Sequence, residues 1–476
     1  MKGWLKVRYR NFRIDIPTDA NMLIHTLQEH GHSAYVVGGC VRDSILGRTP
    51  HDWDICTSAT PNEILNIFKD KKVIETGLQH GTVTVIVNGV PYEITTYRID
   101  GDYSDNRRPD SVTFTDDLIE DLKRRDFTIN AMAYNDTDGL VDPFGGLEDI
   151  QSKIIRCVGS TKDRFNEDAL RMLRALRFAS QLDFVIAFDA SYEIHRQCGC
   201  LANISIERIN SEFCKIASSD MFCVQLVLYY DVFSLFIPEL KDMYDFPQNN
   251  SWHIYNVFDH TIHAVKHCES NDLITKLAVF FHDFGKPHCY QDGEDGIRHF
   301  KGHGKVSSEM TDRIMKRLKF DNETRLKVVE LVHYHDATFE VGKKYVKRWL
   351  NILGEEQFRR LLKVKKADNK AQNLELSSDR IKELTEIELI LNEVLKDNEC
   401  FTLKDLAING NDLIEIGFHP GKELGKVLKD LLQLVIDGTD NKRETLLTLA
   451  KGMYIANYVL PTYLEPYPYP IEVTKH

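Results

Sequence analysis

The spacing of apolar and polar positions changes character along this chain, and each change marks a different architecture. Residues 1 to about 33 read as an amphipathic helical lead-in. From Ala34 to about Arg156 the texture is α/β. The apolar run Tyr35-Val36-Val37 predicts a short strand, and Gly38-Gly39 opens a helix after it. Thr82–Val87 and Val90–Tyr97 flank Asn88-Gly89, a pair suited to a two-residue primed turn, so a hairpin is expected. From Asn166 onward the period is helical: Glu167 to Ala179 reads as one helix, apolar on one side and basic on the other. Val224–Ile237, interrupted by Asp231, reads as a buried helix. Histidines cluster between His253 and His335 in a second, wholly helical stretch. Beyond about residue 340 the chain is helix-rich and Lys/Glu-rich, and Tyr463–Pro470 predicts an extended tail. No repeat of fixed period is visible. The expected fold class is α+β, a mixed α/β N-terminal part followed by all-helical segments.

Composition narrows this picture. A length of 476 residues suggests three or four domains. Apolar content of 42% and charged content of 28% are those of a soluble globular protein. No apolar run approaches the roughly 18 residues of a membrane helix, and Met1–Arg10 lacks the apolar core of a signal peptide. The ten cysteines are scattered, with only Cys198 and Cys200 close, which suggests reduced thiols and a cytoplasmic location. A net charge of −12 argues mildly against nucleic-acid binding. Basic residues are nonetheless concentrated at Arg107-Arg108, at Lys123-Arg124-Arg125 and from Arg164 to Arg177, and a binding footprint depends on one face rather than on the sum.

The chemistry begins at Asp52-Trp53-Asp54. In a strand Asp52 and Asp54 share a face and Trp53 takes the other. Two adjacent carboxylates suit Mg²⁺ on a nucleotide's phosphates, and Gly38-Gly39 allows the backbone to approach them closely. Glu93, on the second hairpin strand, is the candidate third carboxylate, or else an exposed strand glutamate. Arg42 is either a phosphate contact or one half of an ion pair at a helix start.

Five motifs then occur in order: Gly38-Gly39-x-Val41-Arg42-Asp43, Asp52-x-Asp54, Arg124-Arg125-Asp126 through Asn130, Asp142-Pro-Phe-Gly-Gly146, and Glu167-Asp168-x-x-Arg171-x-x-Arg174-x-x-Arg177. The chain thereby resembles the bacterial class II tRNA nucleotidyltransferases (CCA-adding enzymes) and poly(A) polymerases. Glu207-Arg208-Ile209 with Glu212 and Lys215 resembles a further family segment, and Phe418–Gly425 is a weaker likeness. The resemblance implies a polymerase-beta-like sheet in a head (1–155), a helical neck for base selection and RNA binding (156–245), an HD-type domain (246–345) and a helical, tRNA-binding tail (346–476). It also implies that Gly38, Gly39, Arg42 and Arg125 meet triphosphate and ribose, with Asp126 orienting Arg125. Asp168 and Arg171 would select the base. The chemistry agrees: cytosine and adenine both present an amine donor beside a ring-nitrogen acceptor, which a carboxylate and a guanidinium can pair. At a spacing of three on one helix Asp168 and Arg171 are neighbours. Arg174 and Arg177 turn progressively away, toward phosphates or structural carboxylates. In the family, a flexible loop such as Thr96–Asp110 serves the switch from C to A addition.

A second constellation comprises His260, His282-Asp283-Phe-Gly-Lys286, His303, His333, His335 and Asp336. It resembles the HD phosphohydrolase superfamily, with His260, His282, Asp283 and Asp336 as the expected metal ligands and Ni, Co, Mn or Mg as candidate ions. Phosphomonoesters or 2′,3′-cyclic phosphates would be its substrates.

The leading expectation is therefore template-independent addition or repair of the 3′-terminal CCA of tRNA from CTP and ATP. Two Mg²⁺ ions, Asp52, Asp54 and Glu93 would serve the transfer, and pyrophosphate would leave. The partner would be the tRNA acceptor arm, with no membrane and no DNA. The alternatives are a poly(A) polymerase, an A-only tRNA enzyme, or an HD-type phosphohydrolase as the main activity.

Overall fold

The computed structural model describes residues 8–75, 77–78, 81–101 and 111–459. The start of the chain (1–7), Arg107-Arg108, most of the loop leading to Asp110 and the Tyr463–Pro470 tail lie outside the described residues. The fold is α+β, a sheet-containing N-terminal head followed by helices. Two compact units are present. The first runs to Phe246 and includes Asn271–Lys276 and Met310–Arg325; the second holds Pro247–Ser270, Leu277–Glu309 and the residues from Leu326 onward.

The first unit is built on an eight-stranded sheet. Its order is Arg8–Tyr9, Gly139–Val141, Ala133–Asn135, Ala34–Val37, Ile55–Thr57, Val90–Thr96, Thr82–Val87 and Lys72–Ile74. The predicted hairpin is present. Asn88 (φ 51°) and Gly89 (φ 83°) both take positive φ, as a type I′ turn requires, and the strands pair Val87 with Val90. The central strand Ile55–Thr57 runs parallel to Val90–Thr96 in the register Ile55↔Ile94, which sets Asp54 beside Glu93 at the strand ends. Beneath the sheet lie Tyr35, Val37, Cys56, Tyr97, Leu122, Ala133 and Val158. Burying each such large side chain is worth about 1.5–3 kcal/mol. The lead-in forms a helix over Thr18–Glu29 that buries Ala20, Leu23, Ile24 and Leu27, preceded by a strand at Arg8–Tyr9.

Three local expectations are corrected. Asp52 and Asp54 lie on the approach to the strand, which begins only at Ile55. The segment Val224–Ile237 is two short helices, Phe222–Leu228 and Tyr230–Phe236, and Val227, Leu228 and Leu235 are exposed. The Glu167–Ala179 helix is also interrupted: helices Thr161–Glu167 and Leu170–Leu182 meet at Asp168, whose backbone is extended (φ −141°, ψ 104°).

The second unit is helical. Its long helix Lys343–Lys370, kinked at Gly354 (φ 72°), packs against Leu374–Lys396 around Leu350, Phe358, Leu362, Leu384 and Leu391. A separate cluster forms around Leu413, Phe418, Leu431 and Leu446. No helix among the described residues is long and apolar enough to cross a membrane.

Candidate functional sites

In the first unit the acids crowd at one end of the central strands. Burial pushes the Asp54 carboxyl up to about 6, helped by the negative charges of Asp52 and Glu93, with Arg125 opposing. A carboxylate raised in this way sits among other acids in a negative field that a bound divalent cation would relieve. Glu93 itself is exposed, as is Asp52. Gly38 takes φ 82°, a conformation that residues with a Cβ rarely adopt, and an Arg125 Nη atom stands 3.1 Å from where a Cβ would lie. Arg42 is buried. It donates to both Asp43 oxygens (2.9 Å each) and to Asn130 Oδ1 (2.7 Å), so the ion-pair alternative for it is realised in this state. A cleft of about 1100 Å³ opens beside Arg42 and Asp52, with Arg48, Arg177 and Lys215 along its wall.

Asp168 owes its place to the helix break. Its Oδ1 accepts from Leu170 N (3.0 Å), capping the second helix, and its Oδ2 accepts from Arg208 (2.8 Å). Arg171 donates to Glu167 (2.5 Å) and to the Arg124 carbonyl (3.2 Å). Both candidate base readers thus already have protein partners. Arg174 is clamped on Asp126 at 2.6 and 2.8 Å, and Arg177 on Glu212 at 2.6 Å. Asp126 therefore orients Arg174 rather than Arg125, which lies 3.5 Å from the buried Asp121. Burial works against the Asp126 charge, but Arg174 and Arg171 outweigh it and hold the carboxyl down at about 2. The helix Ile206–Ala217 supplies both Arg208 and Glu212. These counter-charges were visible in the sequence only as a motif of unstated role.

In the second unit four imidazoles surround Asp283, which is buried with neither oxygen accepting a well-aligned hydrogen bond. His260, His282 and Asp283 form one group of potential ligand atoms, and Asp283, His303 and His335 another, each with all atoms within 4.8 Å. Burial opposes the charge on Asp283, yet His282 and Lys286 bring its carboxyl well below the usual range. Burial likewise opposes charge on His282, but Asp283 prevails and raises it. The buried acid thus demands positive charge, which a proton or a metal ion can meet, and the donor set suits a transition-metal ion. His303 is pushed down to about 4 by burial and by His335, which favours its neutral, ligating form.

Asp336 does not join either group. Its side chain is 58% exposed and 3.6 Å from His303 Nδ1, on the ring edge away from Asp283. The acid that faces the centre is Asp368, 3.0 Å from His260 Nε2. A signal for it existed: Asp368 continues the buried stripe Leu361, Val364 and Ala371 of its helix. His333 is exposed and lies outside both groups. A cavity of about 450 Å³ opens on Asp283, His303, Asp336 and Asp368, with Lys286, Arg298 and Arg380 also lining it.

Residues 34–156 match the family described as Poly A polymerase head domain, and residues 291–450 match tRNA nucleotidyltransferase domain 2, putative. The CCA-adding enzyme of Geobacillus thermodenitrificans is 48% identical over 221 residues, covering 46% of this chain and 54% of that protein. In such matches the chain spans about half the length of the curated relatives. The CCA-adding enzyme of Levilactobacillus brevis is 33% identical over 427 residues, 88% of this chain and 93% of that protein. Among solved structures, the Bacillus stearothermophilus CCA-adding enzyme in complex with CTP is 28% identical with a TM-score of 0.65, covering 92% of this chain and 97% of that one. The chain belongs to the CCA-adding enzyme family.

Proposed function

We propose that the protein adds or repairs the 3′-terminal CCA of tRNA in the cytoplasm, drawing on CTP and ATP. The observation that carries this reading is the placement, in one unit, of the crowded acids Asp52, Asp54 and Glu93 together with Asp168 and Arg171 at a helix break. The relative solved with CTP supports CTP as a substrate. Asp52 and Asp54, with Glu93 as third acid, would hold two Mg²⁺. What the ions supply when bound is a lower pKa for the attacking hydroxyl and neutralisation of the pyrophosphate that leaves.

The protein's own groups do the rest. Gly38 admits the phosphates close to the backbone, while Gly39, Arg42 and Arg125 take triphosphate and ribose. The tRNA 3′ oxygen attacks the α-phosphorus, the bond to the β-phosphate oxygen breaks, and pyrophosphate departs. Asp168 accepts from the exocyclic amine of C or A, and Arg171 donates to the adjacent ring nitrogen. Arg171 must exchange its present partner Glu167 for the base, while Asp168 Oδ2 keeps a lone pair for the amine beside the Arg208 that holds it. Uracil and guanine present the opposite pattern and leave both charges unpaired, a penalty that hydrogen-bonded sites turn into strong rejection. Arg174 and Arg177 act through Asp126 and Glu212, holding the neck in place. The test offers tRNAs ending before CCA, after CC and complete, each with CTP, ATP or both. An exact CCA end is expected, and long oligo(A) growth on any RNA would overturn the proposal.

A second activity is favoured by the buried Asp283 among its imidazoles. In this reading the second unit is an HD-type, metal-dependent phosphohydrolase acting on phosphomonoesters or 2′,3′-cyclic phosphates. Phosphatase assays with Ni²⁺, Co²⁺, Mn²⁺ or Mg²⁺ test it, and Asp283→Ala should remove the activity. Turnover unaffected by that change would refute it.

A further inference from the structure

One aromatic ring in the first unit joins three of the sequence motifs. Phe178 lies on the helix Leu170–Leu182, directly after Arg177, and is only 5% exposed. Three guanidiniums stand over it: Arg177 at 4.0 Å from the ring centroid, Arg42 at 5.1 Å and Arg174 at 5.4 Å. Phe127, which follows Asp126, packs against the same ring edge to face, with centroids 5.7 Å apart and planes at 81°. The helix itself accounts for Arg174, four residues earlier and so on the same side. Arg42 is brought there by the fold, from the helix Gly39–Ile45.

Three like charges around one apolar ring repel one another unless each is neutralised nearby. Each has its own carboxylate: Asp43 for Arg42 (2.9 Å), Asp126 for Arg174 (2.6 Å) and Glu212 for Arg177 (2.6 Å). Those carboxylates engage the N–H groups, which point outward in the guanidinium plane. The ring adds a hold that needs no acceptor. Its π electrons present negative charge to a cation, and the attraction grows where water is excluded.

This second hold matters most for Arg42, because nucleotide binding must change its partners. Its Nε and Nη2 donate to Asp43, and its Nη1 donates to Asn130 Oδ1. A triphosphate oxygen takes N–H groups away from Asp43, whereas contact with the ring uses none and persists through the exchange. Arg42 and Arg177 line the cleft beside Asp52, and the buried ring stands at their backs.

We infer that Phe178 is a positioning residue for the triphosphate: its ring keeps the Arg42 guanidinium turned to the nucleotide while Arg42 exchanges Asp43 for phosphate. Through Arg174 and Arg177 the same ring ties Arg42 to the neck helix. The inference rests on the triphosphate role proposed for Arg42 and names what sets that side chain. Its effect is blind to the base, because CTP and ATP share the triphosphate and the base is read elsewhere, by Asp168 and Arg171.

The test alters the charge on the ring's face and keeps its shape. Full-length protein is prepared with mono-, di- or trifluorophenylalanine in place of Phe178. Each fluorine withdraws electron density from the face, while the side chain stays apolar and nearly the same size. Circular dichroism melting confirms that each protein is folded. Binding of CTP and ATP is measured by calorimetry with Mg²⁺ and without tRNA, and binding of cytidine, which has no phosphate, by NMR titration. Affinities for CTP and ATP should fall stepwise and in parallel, by roughly tenfold at the trifluoro ring, with cytidine binding unchanged. Affinities flat across the series, or a fall shared by cytidine, overturn the role of the ring. Arg42→Ala is measured alongside. If it weakens CTP relative to cytidine while the fluorinated series stays flat, the role of the ring alone falls. If it leaves that ratio unchanged, the triphosphate role of Arg42 falls and the role of the ring with it.

Discussion

Replacing Asp126 by Asn isolates what holds the neck in the posture that base selection needs. The carboxylate is only 10% exposed. One oxygen accepts twice from Arg174, at 2.6 and 2.8 Å, and the other accepts from Phe127 N at 2.8 Å and Asn130 Nδ2 at 3.2 Å. All four partners are donors. An asparagine amide must therefore aim its own NH₂ at Arg174 or at Phe127 and Asn130, leaving donors face to face in either orientation. Bringing a carboxyl from 3.8 down to about 2 corresponds to about 2 kcal/mol in favour of the folded, ionised form. Asp126→Asn should destabilise the first unit by that amount, measured from urea midpoints by circular dichroism. The sign follows from the depressed pKa: the contribution is complete above the unfolded pKa near 4 and is lost as pH falls through about 2. The difference between wild type and variant should thus stay flat from pH 8 to pH 5. A cost below about 0.5 kcal/mol, at the level of ordinary surface changes, would refute the clamp. So would a difference that decays between pH 8 and pH 5.

Arg208→Ala removes the 2.8 Å partner of Asp168, so misincorporation of UTP relative to CTP should rise roughly tenfold, the effect of about 1.4 kcal/mol. Single-nucleotide extension of tRNA lacking CCA reads this ratio, and an unchanged ratio would show that Arg208 does not position Asp168. The thiols supply an independent check on packing. Burial pushes Cys40 and Cys157 up to about 12 and raises Cys56 further, so these should resist a thiol reagent at pH 8. Cys198, Cys200, Cys214 and Cys289 are the half-exposed ones, but burial pushes Cys214 up to about 12 as well, so at most the other three of the ten should react before urea is added. Rapid native labelling of Cys56 would contradict the sheet core.

What the sequence disclosed followed the range of the forces involved. The Asn88-Gly89 hairpin is set by two adjacent residues whose conformational preference is local, and it was legible. The acids Asp52 and Asp54 were legible because their spacing alone states the chemistry, even though the strand begins one residue later. The break at Asp168 was not, since neither glycine nor proline marks it. It depends on a cap to Leu170 and on an ion pair with Arg208, forty residues on. Asp368 was missed for the same reason. It stands in an ordinary helical stretch, and only the fold brings it to His260, more than a hundred residues earlier. Asp336 is the distant acid that the superfamily resemblance implies, yet its side chain is 58% exposed and turned from Asp283, and Asp368 takes the inward place.

The central claim, that Asp168 and Arg171 choose the base without a template, is tested most directly by comparing kcat/KM for CTP and UTP on tRNA lacking CCA. Wild type should favour CTP by roughly 10⁴ or more, the scale of rejection when buried polar groups are left unpaired. Asp168→Ala should collapse that preference by at least about a hundredfold while the protein still extends the tRNA. A variant that keeps the wild-type preference would contradict the account.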